Sequence, residues 1–226
     1  MLKQLGPYII DKQIGRGGMG FVYAAHHEDT AEVVAVKMLS LGFADDENFR
    51  SRFSLEIETL KQLHHEGIVE IFGFGEQDGT LFYSMELVDG PSLFETLKSD
   101  GPVAWRDVVR MTIEICHALK HAHDRGVIHR DLKPSNLIVS QSGSVKLVDF
   151  GIARLFGTTQ LTADHAVVGT ADYMSPEQAE GQRPTVRSDL YSLGAVMYAL
   201  LSGKPPFSSP SIAQVIHRLR HDPPDR

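Results

Sequence analysis

Two short stretches concentrate hard oxygen donors and cations: HRDLKPSN at 129–136 and, after the apolar run VKLV at 145–148, DFG at 149–151. Asp149 and the amide oxygen of Asn136 suit Mg2+, which keeps waters and shares substrate phosphates, so one carboxylate and one amide form a sufficient protein contribution. Lys133 suits a phosphoryl group in transfer, and Asp131 can orient a hydroxyl nucleophile. Asp-Phe-Gly alone is an ordinary turn. With the preceding octet at this separation, coincidence is a poor explanation.

Nearer the amino terminus, GRGGMGFV at 15–22 places four glycines in eight residues. Such a cluster serves a sharp turn, a left-handed conformation, or the close approach of a ligand to the main chain. By itself the pattern Gly15-x-Gly17-x-x-Gly20 fits a tight hairpin or the opening of a dinucleotide fold. The dinucleotide reading needs a helix directly after the last glycine, whereas FVYAAHH continues the alternation of a strand. A loop between two strands, its N–H groups lying over phosphate oxygens, is favoured.

VAVK at 34–37 ends a strand on a lysine. Val34 and Val36 share one face and Ala35 and Lys37 the other, which puts the ammonium beside a small residue where an adenine ring has room. A buried ammonium needs partners. Phosphates are one kind and a carboxylate from a nearby helix the other. Of Glu56 and Glu58, Glu56 stands three residues after Phe53 and four before Leu60, on the inward side, and is taken as the partner. A solvated surface pair worth under about 1 kcal/mol is the competing reading.

The elements that must hold these residues change character near residue 89. Up to about Leu87 the apolar residues alternate in short runs (YIID, FVYAA, VVAVKML, IVEIFGFG, LFYSMELV), which predicts an antiparallel sheet. One helix interrupts it within 46–63, where Phe49, Phe53, Ile57, Leu60 and Leu63 recur at helical spacing and Asp45 or Asp46 is available as a cap. Beyond residue 90 helices dominate: Val108, Met111, Thr112, Ile115, Leu119 and Ala122 mark one. The segment Leu190–Leu201, apolar nearly all round, marks another that is expected to be buried. The domains read as 1–88, a strand-rich lobe, and 89–226, a helical lobe, joined near Glu86–Gly90, where any cleft would fall.

Composition narrows the partners. Of 226 residues, 42% are hydrophobic and 23% charged, and the net charge is −7 with no long basic run, so neither nucleic acid nor an anionic membrane is the expected partner. The single cysteine, Cys116, excludes a disulfide framework and a Cys-based zinc site within the chain and fits a reducing cytosol. LGAVMYALL at 193–201, the longest apolar run, is too short to span a bilayer, so a cytoplasmic chain with no membrane span is expected.

The chain resembles the eukaryotic-type protein kinases, most closely the bacterial Ser/Thr kinases, from about Tyr8 to its end. GRGGMGFV, VAVK, HRDLKPSN, DFG and GTADYMSPE at 169–177 occur in family order. The resemblance implies an α+β bilobal kinase fold and transfer of the ATP γ-phosphate to Ser/Thr hydroxyls of protein substrates. Ile14, Gly15, Arg16, Gly17, Gly18, Met19, Gly20 and Val22 would cover the ATP phosphates, with Ala35 against adenine and Lys37, held by Glu56, on the α- and β-phosphates. Met85 would guard the back of the adenine pocket, and the backbone of Glu86, Leu87 and Val88 would bind adenine. Asn136 and Asp149 would hold Mg2+, with Mn2+ an alternative. Asp131 would be the catalytic base and Lys133 its cationic neighbour.

The same resemblance bears on substrate and control. Lys133 and Thr170 are typical of Ser/Thr rather than tyrosine kinases, and the segment ending in SPE is where a protein substrate would dock. Arg130 would pair with a phosphorylated residue between DFG and SPE; Thr158, Thr159 and Thr162 lie there, with Thr162 favoured and Asp164 a fixed negative charge nearby. Autophosphorylation, with self-association to allow it, is implied. Asp189 is expected to cap the buried helix while bonding to the backbone near His129, and His129 to pack against Phe150 rather than carry protons, with Leu60 extending that column. His64, His65, His121 and His123 are expected at helix ends or on the surface.

The carboxyl end departs from the family pattern. Relatives continue with at least two further helices, so these are expected to be missing here, and with them an arginine partner for Glu177. A buried, unpaired Glu177 would cost about 3–5 kcal/mol. The helix near 211–221 would expose Ile212, Val215, Ile216 and Leu219 as an apolar patch. The alternative reading is therefore a catalytically weak or inactive kinase-like module that binds nucleotide or a partner.

Overall fold

The computed structural model describes residues 2–17, 20–39, 47–151, 171–209 and 211–224. Gly18, Met19, Asp45, Asp46, Thr158, Thr159, Thr162, Asp164 and Thr170, named above, lie outside the described residues. The described chain forms two compact units, residues 1–65 with 69–88, and residues 66–68 with 89–226.

Among the described residues the first unit is a six-stranded antiparallel sheet with one α-helix. Its strands are β1 (Gln4–Leu5), β2 (Tyr8–Gly17), β3 (Gly20–His27), β4 (Val33–Leu39), β5 (Ile71–Gln77) and β6 (Thr80–Glu86). They lie in the order β1-β2-β3-β4-β6-β5. The alternation anticipated in VVAVKML is realised. Val34 and Val36 join Leu5, Ala25 and Phe82 in a core on one face, with Tyr8, Ile10 and Met38 packed against it. The other face carries the helix α1 (Glu47–Leu60), whose Phe53 meets Phe74 edge-on at 5.9 Å and Tyr83 at 6.5 Å. Phe53, Ile57 and Leu60 are buried along it, the inward stripe that their spacing requires.

The second unit is mainly helical: α2 (Leu93–Asp100), α3 (Trp105–His123), α4 (Pro176–Ala179), α5 (Val186–Ser202) and α6 (Ile212–His221). A short hairpin, β7 (Leu137–Val139) with β8 (Val145–Leu147), completes it, and Ile68 bridges to Leu147. Helix α3 buries Val108, Met111, Ile115, Ala118, Leu119 and Ala122, recurring every three or four residues, and packs on α5. No helix among the described residues is long and apolar enough to cross a membrane.

Three expectations need correction. Helix α5 is not buried all round: Leu190 is 51% and Leu201 46% exposed, because only one side meets α3 while the buried row runs Ser188, Ser192, Ala195, Val196 and Ala199. Its cap is Thr185, whose hydroxyl accepts from Arg187 N–H, and not Asp189, which lies inside the helix and is spent elsewhere. The apolar face of α6 is covered. Val215 is 2% exposed and clusters with Ala171, Met174 and Phe207, while Ile212 and Leu219 pack alongside.

Candidate functional site

Within the first unit the sheet register sets the glycine-loop and lysine residues in rows. Gly15 stands opposite Val22, Val22 opposite Lys37, and Lys37 opposite Tyr83. The next row runs Ala24, Ala35, Met85 and Ile71. Directly opposed residues of antiparallel strands share a face. Val22, Ala35, Lys37 and Met85 are thus gathered on one side of the sheet, the side that carries Phe53 and α1. Glu56 is half-buried one turn after Phe53 on that helix. Ile14 falls where the β2–β3 register shifts and is 45% exposed, while the Arg16 guanidinium lies 5.4 Å over the Phe21 ring. At the connector, Glu86 N–H donates to Glu70 O at 2.8 Å, and Glu86, Leu87 and Val88 are half-buried.

The glycines of the β2–β3 hairpin do different jobs. A Cβ on Gly20 (φ +141°) would lie 1.9 Å from Met38 O, so only glycine lets β3 run this close to β4. Gly17, by contrast, has nothing among the described residues within 4 Å of where its Cβ would be. Protein packing does not demand that glycine. Open space over its main chain is what a phosphate group approaching backbone N–H donors needs.

In the second unit the 129–136 loop and the 149–151 turn are stitched together by main-chain bonds. Val148 N–H donates to Asn136 O at 3.0 Å and Gly151 N–H to His129 O at 2.8 Å. Asn136 and Asp149 thereby fall at one end of the β7–β8 hairpin. Asn136 is 5% exposed, and its Nδ2 donates to Asp131 O at 2.8 Å and to Asp131 Oδ2 at 3.2 Å. With the amide nitrogen committed, the amide oxygen is what Asn136 offers a hard cation. Lys133 Nζ lies 2.9 Å from Asp131 Oδ2, so two members of the set singled out in HRDLKPSN meet in space.

This loop is held in a conformation that side chains dislike. Arg130 has φ +67° and Asp149 φ +58°, left-handed values that cost of order 1–3 kcal/mol each in non-glycine residues. Buried partners hold Arg130 there. Asp189, 1% exposed, accepts from His129 N–H at 2.8 Å and Arg130 N–H at 2.9 Å, and Gln178 Nε2 donates to Arg130 O at 2.8 Å. His129 is wholly buried, 4.6 Å from the Phe150 ring, with Nε2 on Val148 O at 3.2 Å. Burial holds its pKa below the usual imidazole value despite three nearby carboxylates. A neutral, packed ring is what its position led us to expect.

Sequence reasoning missed two supports. His123 stands at a helix end as expected, closing α3, but its side chain is only 10% exposed and its Nε2 lies 2.8 Å from Asp189 Oδ2, a pairing across 66 positions that no local pattern announces. Gln178 had a readable signal, since Ser175 and Gln178 form a capping box at the start of α4. Glu177 is half-buried, and burial pushes its carboxyl up, but the Ser188 hydroxyl at 2.5 Å with further donors outweighs this and holds it below the ordinary range. The expected unpaired Glu177 is corrected accordingly, because Ser188 sits one turn into the facing helix.

Comparison with known proteins gives the same direction. Residues 8–222 match the protein kinase domain family. A probable serine/threonine-protein kinase PknB of Corynebacterium glutamicum is 44% identical over 223 residues, covering 96% of this chain and 34% of that protein. Serine/threonine-protein kinase PrkC of Bacillus subtilis is 38% identical, covering 96% of this chain and 33% of its own length. Serine/threonine-protein kinase PknD of Mycobacterium tuberculosis is 40% identical, covering 97% and 33%. The chain spans about a third of the length of these curated relatives.

Proposed function

Because the chain belongs to the protein kinase domain family, we propose that it is an ATP-dependent protein kinase domain that transfers the γ-phosphoryl group to Ser or Thr hydroxyls of protein substrates. The observation that carries this is the Asp131, Lys133 and Asn136 cluster, with Lys133 Nζ 2.9 Å from one Asp131 oxygen and Asn136 Nδ2 3.2 Å from it. Asp131 orients the acceptor hydroxyl and takes its proton as the new oxygen–phosphorus bond forms and the bond to the β–γ bridging oxygen breaks, releasing ADP. Lys133 sets a positive charge beside that carboxylate, where the γ-phosphoryl oxygens carry negative charge during transfer. Gly15 to Val22 give backbone donors to the phosphates, Lys37 with Glu56 the α- and β-phosphates' cation, and Ala35, Met85, Glu86 and Val88 the adenine contacts.

Asn136 and Asp149 are the residues that would hold Mg2+, which would supply positive charge against the phosphates when bound. Their fit rests on the donor set, an amide oxygen and a carboxylate at the end of one hairpin. Mn2+, also an oxygen-seeking ion, is accepted in the same place. Thr162 is the site of regulatory phosphorylation, reached by a second copy of the chain, and Arg130 receives that phosphate. Thr170 contributes to the choice of Ser/Thr over Tyr. The compartment is the cytoplasm, which suits the exposed thiol of Cys116.

The deciding experiment follows labelled γ-phosphate from Mg-ATP into a generic protein substrate, comparing the chain with Asp149→Ala. Transfer should fall to background in the variant. Equal transfer by both would end the proposal.

A further inference from the structure

We propose that Asp172 selects the substrate, its carboxylate taking a lysine or arginine side chain that the acceptor protein carries close to its reacting hydroxyl. This deepens the kinase reading above and rests on it. The 3-10 turn Ala171–Tyr173 is fastened to the cluster just described. Ser192 Oγ donates to Tyr173 O at 2.7 Å, and Gln178 ties the neighbouring helix to Arg130. Tyr173 and Met174 line a recess together with Asp131 and Leu132. Asp172 therefore directly precedes, along the chain, a residue that lines the recess of the carboxylate proposed to receive the hydroxyl proton.

Asp172 is half-buried, and its Oδ1 is buried with no hydrogen-bond partner. Desolvating a carboxylate oxygen without a donor is expensive, which is why such groups are almost always paired. Burial accordingly pushes the Asp172 carboxyl pKa up, and Asp172 in turn helps raise that of the buried Tyr173 hydroxyl. Donors around the turn are committed elsewhere: Ser188 to Glu177, Ser192 to Tyr173 O, Gln178 to Arg130 O. None of these three described donors reaches Asp172.

A group arriving with a substrate can supply what the fold does not. A cation approaching the open edge of the carboxylate compensates the charge of both oxygens at once, since that charge is delocalised. The setting favours a basic group over a neutral donor. Glu177 follows five residues later in the chain, Asp131 lines the recess with the adjacent Tyr173, and the chain as a whole carries a net charge of −7. A substrate with an acidic or neutral residue at that place leaves the carboxylate uncompensated, and specificity arises from this difference.

The test uses peptides with one Ser or Thr in a neutral background, with Lys, Gln or Glu scanned through the three positions on each side. Initial rates with Mg-ATP give kcat/KM, and fluorescence anisotropy of labelled peptides gives binding without turnover. The wild-type chain should favour Lys over Gln about tenfold at one position. Asp172→Asn should bring that ratio near one in both measurements, and Asp172→Lys should turn the preference towards Glu. A wild-type ratio near one at every position, or a preference kept by Asp172→Asn and Asp172→Lys, would overturn the assignment. Wild-type transfer no greater than that of Asp149→Ala with every peptide would instead sink the kinase reading on which the assignment depends.

Discussion

His123 Nε2 and Asp189 Oδ2 lie 2.8 Å apart inside the second unit, with 10% and 1% of their side chains exposed. Asp189 thus has three donors: the His123 ring, His129 N–H and Arg130 N–H. The last of these holds a residue at φ +67° directly before Asp131. A helix carboxylate and a histidine from another helix together fix a backbone strain that places the proposed base.

Removing the hub should cost more than removing one spoke. Asp189→Ala strands two buried N–H groups and the His123 ring, and about 3–5 kcal/mol of stability should go with them. His123→Ala leaves Asp189 both backbone donors and should cost about 1–3 kcal/mol. His123→Asn, which keeps a donor, should recover part of that loss. Urea midpoints at constant slope measure all three; equal losses for Asp189→Ala and His123→Ala would contradict the ordering.

The two glycines of the β2–β3 hairpin should separate stability from nucleotide binding. Gly20→Ala drives a Cβ to within 1.9 Å of Met38 O and asks a side chain to adopt φ +141°, so a loss of about 2–3 kcal/mol is expected. Gly17→Ala meets no protein atom within 4 Å, and its unfolding midpoint should stay close to wild type. Its KM for ATP should nevertheless rise severalfold, because the methyl occupies the space assigned to a phosphate. Unchanged KM with Gly17→Ala would show that the ligand does not approach this main chain.

Much of the fold could be read from period alone. Alternation in VVAVKML put Val34 and Val36 in one core and Lys37 on the other face, and the three-and-four spacing of α3 marked the residues that are buried. What period could not show depends on contacts between segments distant in sequence. The cover over Val215 comes from Ala171, Met174 and Phe207, and the exposure of Leu190 from its place outside the row of α5 that is buried. Of the site, residue types at HRDLKPSN announced the Asp131–Lys133–Asn136 cluster, whereas the bond of His123 to Asp189 and that of Gln178 to Arg130 needed the fold.

The pH dependence of stability should carry the signature of His129. Its ring is wholly buried, Nε2 lies on Val148 O at 3.2 Å, and Nδ1 accepts from Asp131 N–H at 3.4 Å, an arrangement that needs the neutral tautomer. Burial lowers its pKa in the folded chain, although Asp189, Asp131 and Asp149 pull the other way. Between that lowered value and about 6.5, the ordinary value in the unfolded chain, the unfolded state binds a proton that the folded state refuses. Stability therefore rises with pH through this window, is complete above it, and falls on acidification at up to about 1.4 kcal/mol per pH unit. The lowered carboxyl of Glu177 adds a separate loss only below its ordinary value of 4.5. Melting temperatures taken from pH 7.5 to 5 should decline below about 6.5, and His129→Leu, whatever its starting stability, should flatten that decline. A variant slope equal to that of the wild type would mean that His129 takes up its proton without opposing the fold.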